Sequence, residues 1–370
     1  MKTVSSDRVF LTIVGILVIG GLFVFASASL GLLARVDAAP ERLALTQLVL
    51  GLIPGVLALF FIRKLPSAYI LRMAPYVYAL TLIATLLVFT PLGETLNGAT
   101  RWINIGFTTI QPSEFLKIGV VMMLAWILSR AKGKLDEMKK GLFPFLVVLG
   151  IPSAILIAQP NTSTVIVLGI TAVIMYFVAG APWRDLFILG AVAVALFGAV
   201  VLMRPYVLER VKTFIDPSRD PLSSGYQVQQ SLIAIGSGGV IGRGFGQSVQ
   251  KFNYLPEPVG DSIFAVYAEE FGFAGALLMV LLFAAFAARG LAIAGEASSL
   301  FGSLVATGLT TMIRCFGAAA AVFAGIWHHR RRPRHRAERL HDPQHLRGSP
   351  RLLGRRPPRQ LPSRHPTDGF

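Results

Sequence analysis

The sequence predicts an all-α, polytopic integral membrane protein, and two observations carry that prediction. Of its 370 residues 54% are hydrophobic and only 15% charged, and the mean hydropathy is +0.64, outside the usual range of soluble domains. Apolar runs of the about 20 residues that cross a hydrocarbon layer of about 30 Å recur from the first decade to Ile313. A lone cysteine, Cys315, excludes a disulfide framework and a thiolate metal cluster.

The elements follow in order. Residues 9–33 are too long for a secretory signal core and have no cleavage site before a soluble domain, so they read as a retained span. A polar piece with Arg35, Asp37 and Glu41 leads to a second span, 43–62, and Arg63, Lys64 and Arg72 precede a third, 74–92. The polar loop GETLNGATRWINIGFTTIQPSE opens a fourth span that ends near Leu128. Spans five (142–158) and six (164–178) form a hairpin broken at Gln159-Pro160-Asn161, and span seven covers 186–203. A long polar connection, 204–261, precedes span eight at 262–288, and a ninth apolar piece runs from Leu300 to Ile313. Within the connection, residues 231–241 read as a short re-entrant or interfacial segment, tolerated where it lies against protein or a cavity.

The basic residues orient the chain. With the N-terminus in the cytoplasm, Lys2, Arg8, Arg63, Lys64, Arg72, the five cations between Arg130 and Lys140, Arg184 and Arg289 all lie inside. Short outer loops then keep only Arg35, Arg42 and Arg101, as the positive-inside rule asks. The loop around Arg101, the Gln159–Asn161 hairpin and the stretch 225–261 therefore converge on the outer face. The net charge of +16 is no nucleic-acid footprint, because residues 314–370 carry +10 of it.

Few polar side chains in this setting suit chemistry. Arg101 precedes Trp102 at interfacial depth and reads either as a snorkelling arginine or as an anion contact. In QPSEFLK, Pro112 suits a first helical position and Glu114 the first turn, where a carboxylate complements the helix dipole. Lys117 lies one turn on, pointing into the apolar layer. The two either satisfy each other or line a cleft for an anionic ligand. Asp261 precedes SIFAVYAEEFGF and is either the N-cap of span eight or a general base at the membrane surface. Glu269 and Glu270 fall about 12–14 Å deeper along that span at 1.5 Å per residue, where they need partners such as Lys117. The glycines of GSGGVIGRGFG have no GKS or GKT ending, no preceding strand and no ribose-binding acid, which excludes a nucleotide loop.

The motifs ASASLG, NGATRWINIG, QPSEFLK, RVKTFIDPSRDP, GYQVQQSLIAIGSGG, GRGFGQSVQK and YLPEPVGDSIFAVYAEEFGFAG occur in this order across residues 9–310. On them the chain resembles the SEDS family (shape, elongation, division and sporulation), the RodA, FtsW and SpoVE-type peptidoglycan polymerases, with the PVGDSIFAV form closer to the FtsW and SpoVE branch. The resemblance implies a fold of ten transmembrane helices, about nine of them here. It implies a bacterial cytoplasmic-membrane enzyme that polymerises lipid II at the outer face, in division or elongation, beside a class B penicillin-binding transpeptidase, in contact with membrane lipid and without nucleic acid. Asp261 takes the place of the essential outer-loop aspartate, Arg101 that of the family arginine, and Glu114 and Lys117 those of the fourth-span acid and lysine. Gln159, Asn161 and Gln227 join these as substrate-binding candidates, and Glu269 and Glu270 as structural charges. No cofactor is required by this reading, with a divalent cation (Mg or Mn) as an optional aid and no metal ligands assigned. Two other activities suit the same residues: a lipid II flippase, and a non-catalytic scaffold for the transpeptidase.

Two departures from the family pattern bear on the site. The hairpin usually reads QPD, so Asn161 stands where a carboxylate is expected, and an amide holds hydrogen bonds but no charge. Beyond Ile313 the completed ninth span, the tenth span and a PFISYGG-like motif are missing. Residues 314–370 hold 13 Arg, no Lys and all six His. That is the composition of an out-of-frame reading of a GC-rich gene, so they are expected to form an aberrant or disordered basic tail after a polytopic domain of residues 1–313, against the alternative of a genuine basic tail.

Overall fold

The computed structural model describes residues 7–34, 45–96, 99–106, 108–203, 207–209, 212–213, 224–252 and 254–330. The first outer connection with Arg35, Asp37, Glu41 and Arg42, most of RVKTFIDPSRDP, and residues 331–370 of the basic tail lie outside the described residues.

Ten helices organise what is described. They are α1 (Arg8–Leu30), α2 (Ile53–Ile62, entered through the π-helical turns of Gln47–Leu52), α3 (Ser67–Leu86), α4 (Pro112–Arg130), α5 (Leu142–Ala158), α6 (Thr162–Val178), α7 (Trp183–Met203), α8 (Ser224–Ser237), α9 (Ile263–Gly295) and α10 (Leu300–Arg330). Five helical segments, at Arg8–Leu30, Ser67–Phe89, Pro112–Arg130, Trp183–Met203 and Ile263–Gly295, are long and apolar enough to cross a membrane, and four shorter apolar helices accompany them. The ninth apolar piece is longer than expected, since helix continues past Ile313 to Arg330.

The outer loop before α4 departs from an all-helical chain. Gly93–Leu96 (β1), Ala99–Asn104 (β2) and Thr109–Ile110 (β3) form a three-stranded antiparallel sheet in the order β1-β2-β3. Its register pairs Glu94 with Trp102 and Ile103 with Ile110, and the Thr95 and Thr100 hydroxyls meet at 2.7 Å. The β-branched residues suit a pleated surface. The sheet leads into α4, whose first residue is Pro112 and whose first turn holds Glu114.

The helices pack around two centres. The larger surrounds α4, where Leu116, Val120, Val121 and Leu124 are sealed against Ala74 of α3, Phe145 of α5, Met175 of α6 and Leu304 of α10. Lipid tails are as apolar as leucine, so close packing rather than expulsion of water holds such a core in a bilayer. The second centre joins Ala28 of α1, Ala234 of α8, Leu255, and Val266 and Ala268 of α9. By contrast, Phe187, Val194 and Leu202 of α7 are three-quarters or more exposed, an apolar surface that suits lipid contact.

The second centre contains a broken helix. α9 is interrupted at Gly272 (φ 66°, ψ −165°), so the carbonyls before the break and the amides after it lose their helical partners. The backbone that follows α8 replaces them. Arg243 N–H donates to Glu269 O at 3.0 Å and Gly244 N–H to Glu270 O at 2.9 Å, while Phe273 and Ala274 N–H donate to Gly239 and Val240 O, both at 3.0 Å. Gly242 (φ 92°) lies so close to the break that a Cβ there would run into the Glu270 carbonyl.

α1 and α9 run antiparallel and are clasped at both ends. At one end Asp7 caps α1 through Phe10 N–H (2.9 Å) and accepts a hydrogen bond from Arg289 Nε (2.6 Å). At the other, Ser27 Oγ donates to both oxygens of Glu270, at 2.6 and 2.7 Å. Both clasps are about twenty residues apart on their helices, or about 30 Å at 1.5 Å per residue, which is one bilayer core.

Candidate functional site

The predicted site residues fall into two groups, one on each packing centre. The first gathers where the sheet, α3 and the starts of α4 and α6 meet. Arg101 on β2 donates from Nε to Gln159 O at 3.1 Å and from Nη2 to Pro160 O. Its guanidinium thus grips the hairpin between α5 and α6, a role the snorkelling reading did not foresee. Gln159 and Asn161 are both 2% exposed. Gln159 Nε2 donates to Thr85 O at 2.9 Å, tying the hairpin to the end of α3. Asn161 donates from Nδ2 to Ser113 Oγ (3.4 Å) and accepts at Oδ1 from Thr164 Oγ1 (2.8 Å), so its amide uses both a donor and an acceptor.

Glu114 and Lys117 form an ion pair at 2.8 Å, with Glu114 half exposed and Lys117 only 5% exposed. Together they carry no net charge, so they meet a ligand as a polar pair rather than as a cation. Arg101 is left as the main source of positive field in this group.

The second group lies at the head of α9. Asp261 is exposed in the turn before the helix, and it does not cap it. The N-cap is Ser262, and no side-chain cap bond forms. This corrects the capping expectation. The turn closes instead through Glu257, whose carbonyl accepts from Gly260 N–H (3.1 Å) and Ser262 N–H (3.2 Å). Glu257 holds a left-handed φ of 46°, the kind of backbone strain that persists only where surrounding structure enforces it. Ser262 Oγ donates to Pro256 O at 2.8 Å and accepts from Gln227 Nε2 of α8 at 3.3 Å. Among the described residues the Asp261 carboxylate has no hydrogen bond or ion pair, whereas the backbone on both sides of it is held.

Beneath this turn Glu269 and Glu270 are saturated. Glu269 accepts from Ser248 Oγ (2.6 Å), Ser237 Oγ (3.1 Å), and the Val249 and Gln250 amides (3.2 and 3.3 Å), and faces Arg243 Nε at 3.4 Å. Glu270 accepts from Ser27 and from Lys251 Nζ at 2.8 Å. Their partners are thus Arg243 and Lys251 rather than the expected Lys117. The correction is a matter of topology: the loop after α8 folds back onto the break in α9. Lys251, Ser27 and Ser248 were not singled out as site residues. One signal was available, since Lys251 is the last lysine of the chain and precedes both a carboxylate-bearing turn and two glutamates in an apolar helix.

The described side chains form no cage that would hold a divalent cation by themselves. Among the described residues no three His, Cys, Asp or Glu side chains gather, whereas Mg2+ and Ca2+ are held by several hard oxygens. Asn161 supplies an amide where a carboxylate was expected, and Glu269 and Glu270 are already occupied. The arrangement can do one thing readily, which is to accept a proton at Asp261 from a group that approaches the exposed turn.

The comparisons with known proteins agree with this architecture. The family model for cell cycle proteins of the FtsW, RodA and SpoVE type matches residues 7–324. Stage V sporulation protein E of Bacillus subtilis is 39% identical over 260 residues, covering 70% of this chain and 71% of that protein. The probable peptidoglycan glycosyltransferase FtsW of Marinobacter nauticus is 36% identical over 300 residues, covering 80% and 75%. Among solved structures, a chain from work on the structural coordination of polymerization and crosslinking by a peptidoglycan synthase complex superposes with a TM-score of 0.63 at 30% identity, covering 82% of this chain and 86% of the other. A family model spanning most of the sequence, together with these relatives and the apolar helices, shows that the chain is a multi-pass membrane protein and belongs to the FtsW, RodA and SpoVE family of cell cycle proteins, the SEDS family.

Proposed function

We infer that the chain is a peptidoglycan glycosyltransferase that polymerises lipid II, the undecaprenyl-pyrophosphate-linked disaccharide-pentapeptide, at the outer face of the cytoplasmic membrane. The observation that carries the reading is the contrast at the head of α9. Asp261 presents an exposed carboxylate that has no partner among the described residues, on a braced turn, while the neighbouring Glu269 and Glu270 are saturated. The glycosyltransferase relatives support the same activity.

In the reaction, Asp261 takes the proton from the 4-hydroxyl of the acceptor sugar as that oxygen attacks the anomeric carbon of the donor. The carbon–oxygen bond to the pyrophosphate breaks, its electron pair leaves with the lipid pyrophosphate, and the anomeric centre inverts. Pyrophosphate is a good leaving group, so one carboxylate suffices. Arg101 offsets charge on the leaving group, with Lys117, Glu114 and Gln227 as polar contacts to substrate, while the buried Gln159 and Asn161 hold the hairpin behind them. Glu269 and Glu270 hold the fold. The basic residues between 130 and 140 favour a cytoplasmic N-terminus and an outer Asp261. The resemblance to a chain of a synthase complex that coordinates polymerization and crosslinking supports a class B penicillin-binding transpeptidase as partner.

The purified chain reconstituted in vesicles with lipid II and such a transpeptidase tests this reading. Wild type is expected to form glycan strands on the face opposite residues 130–140, and Asp261→Asn to abolish them with its unfolding temperature unchanged. Strand formation by Asp261→Asn would remove the general base. Lipid II movement across the bilayer without strands would favour a flippase, and transpeptidase recruitment alone a scaffold.

A further inference from the structure

We propose that Lys251 is a positioning residue for Asp261: by bonding Ser27 of α1 and Glu270 of the broken α9 at once, it fixes the root of the loop whose far end carries the reacting carboxylate. This rests on the glycosyltransferase reading of Asp261.

The Lys251 side chain is 0% exposed and that of Glu270 1% exposed. The three ammonium protons have three acceptors: Glu270 Oε1 at 2.8 Å, Gly246 O at 2.9 Å and Ser27 Oγ at 3.0 Å. Ser27 accepts from the lysine and donates to the glutamate, so no polar atom of the triad is left unused. The backbones close up as well, since a Cβ on Gly31 at the end of α1 would strike the Lys251 carbonyl. ASASLG, GQSVQK and AEEFG, three motifs with no separate task so far, thus meet at one point.

Stability alone does not account for such a triad. A buried ion pair is weak evidence for stability, because apolar side chains of similar volume often serve as well or better. What the charges add is a single geometry for three segments far apart in sequence. From that point the path to Asp261 is ten residues long and pegged along its length. Leu255 is sealed in the second packing centre, its N–H bonded to Gln250 O at 2.9 Å. The Glu257 carbonyl and the Ser262 hydroxyl then close the turn around Asp261. A general base needs its carboxylate unencumbered and its backbone immobile. The loop meets both requirements by transferring the restraint to Lys251.

The test uses the full chain with lipid II, measuring initial polymerisation rates across substrate concentrations and deuterium exchange in residues 254–262. The paired substitution Lys251→Met with Glu270→Met removes both charges and leaves an apolar contact. It is expected to keep the unfolding temperature within about 5 °C, because an apolar replacement of the whole pair is tolerated. KM stays within about twofold and kcat falls by about tenfold or more, the pattern of a loss felt in the transition state. Exchange in 254–262 rises while that of α4 does not change. Wild-type kcat with wild-type exchange in the paired variant overturns the proposal, as does a fall in rate matched by faster exchange throughout the protein. Should the paired variant not fold, Ser27→Ala decides, since it deletes one hydroxyl. A local rise in exchange with a fall in kcat of about threefold or more supports the proposal, and unchanged values refute it. Asp261→Asn is assayed alongside. If it is inactive while the paired variant is normal, only the positioning role falls; if it is active, the catalytic assignment falls.

Discussion

At the scale of single residues, charges in an apolar sequence were easy to find and hard to pair. Arg101, Glu114, Lys117, Asp261, Glu269 and Glu270 stand out because a bilayer penalises each of them. Local spacing also foresaw the Glu114–Lys117 contact as one of two readings, because residues three apart share a helix face. Spacing could not foresee that Glu270 meets Ser27, more than two hundred residues away, or that Arg101 grips the carbonyls of Gln159 and Pro160. The Arg101 contact yields a prediction. Lysine keeps the charge but not the planar fork that reaches two carbonyls at once. Arg101→Lys is therefore expected to lower unfolding stability by about 1.5–3 kcal/mol, the range for hydrogen bonds that involve a charged group, in denaturant titrations of the protein in detergent. Stability equal to wild type would mean that the grip on the hairpin contributes nothing.

At the scale of elements, the long helices were legible and the interruptions were not. Spans of uniform apolar residues announce themselves, and Leu142–Ala158 matches its expected bounds. The sheet at Gly93–Ile110 was missed although Asn97-Gly98, a strong hairpin signal, lies between β1 and β2. The break in α9 was missed because EEFGFAG continues an apolar run, and a single glycine in such a run is usually just a helical residue. Only the loop that supplies the missing hydrogen bonds makes Gly272 a break. Its φ of 66° and its contact with the backbone of Val240 and Gly242 leave no room for a side chain. Gly272→Ala is therefore expected to cost at least about 2 kcal/mol, within the range for strained left-handed positions, and to lower the thermal midpoint. An unchanged midpoint would show that α9 can run straight.

At the scale of the whole molecule, composition announced a membrane protein, and ordered motifs announced the family. Neither disclosed that the candidate site is divided between two packing centres, since that depends on how α1, α8 and α9 assemble apart from α3 to α6. The clasp between Asp7 and Arg289 belongs to this scale. The Arg289 hydrogen bond, followed by that of Phe10 N–H, lowers the Asp7 carboxyl below its usual value of 3.8. A lowered carboxylate stabilises the fold above its unfolded pKa and loses that contribution as pH falls through the folded one. Wild type should therefore melt above Asp7→Asn by a constant margin between about pH 5 and 8, the margin closing below about pH 4; a margin that grows with acid would contradict the pairing. The two ends of the α1–α9 pair also work as a caliper. Neither helix can slip past the other by one turn, about 5.4 Å, without opening both jaws together, so a bilayer thinner or thicker than the set span has to be met by tilting the pair as one body. The jaw at Ser27 grips the loop that carries Asp261, so the carboxylate keeps its place relative to α1 when the pair tilts.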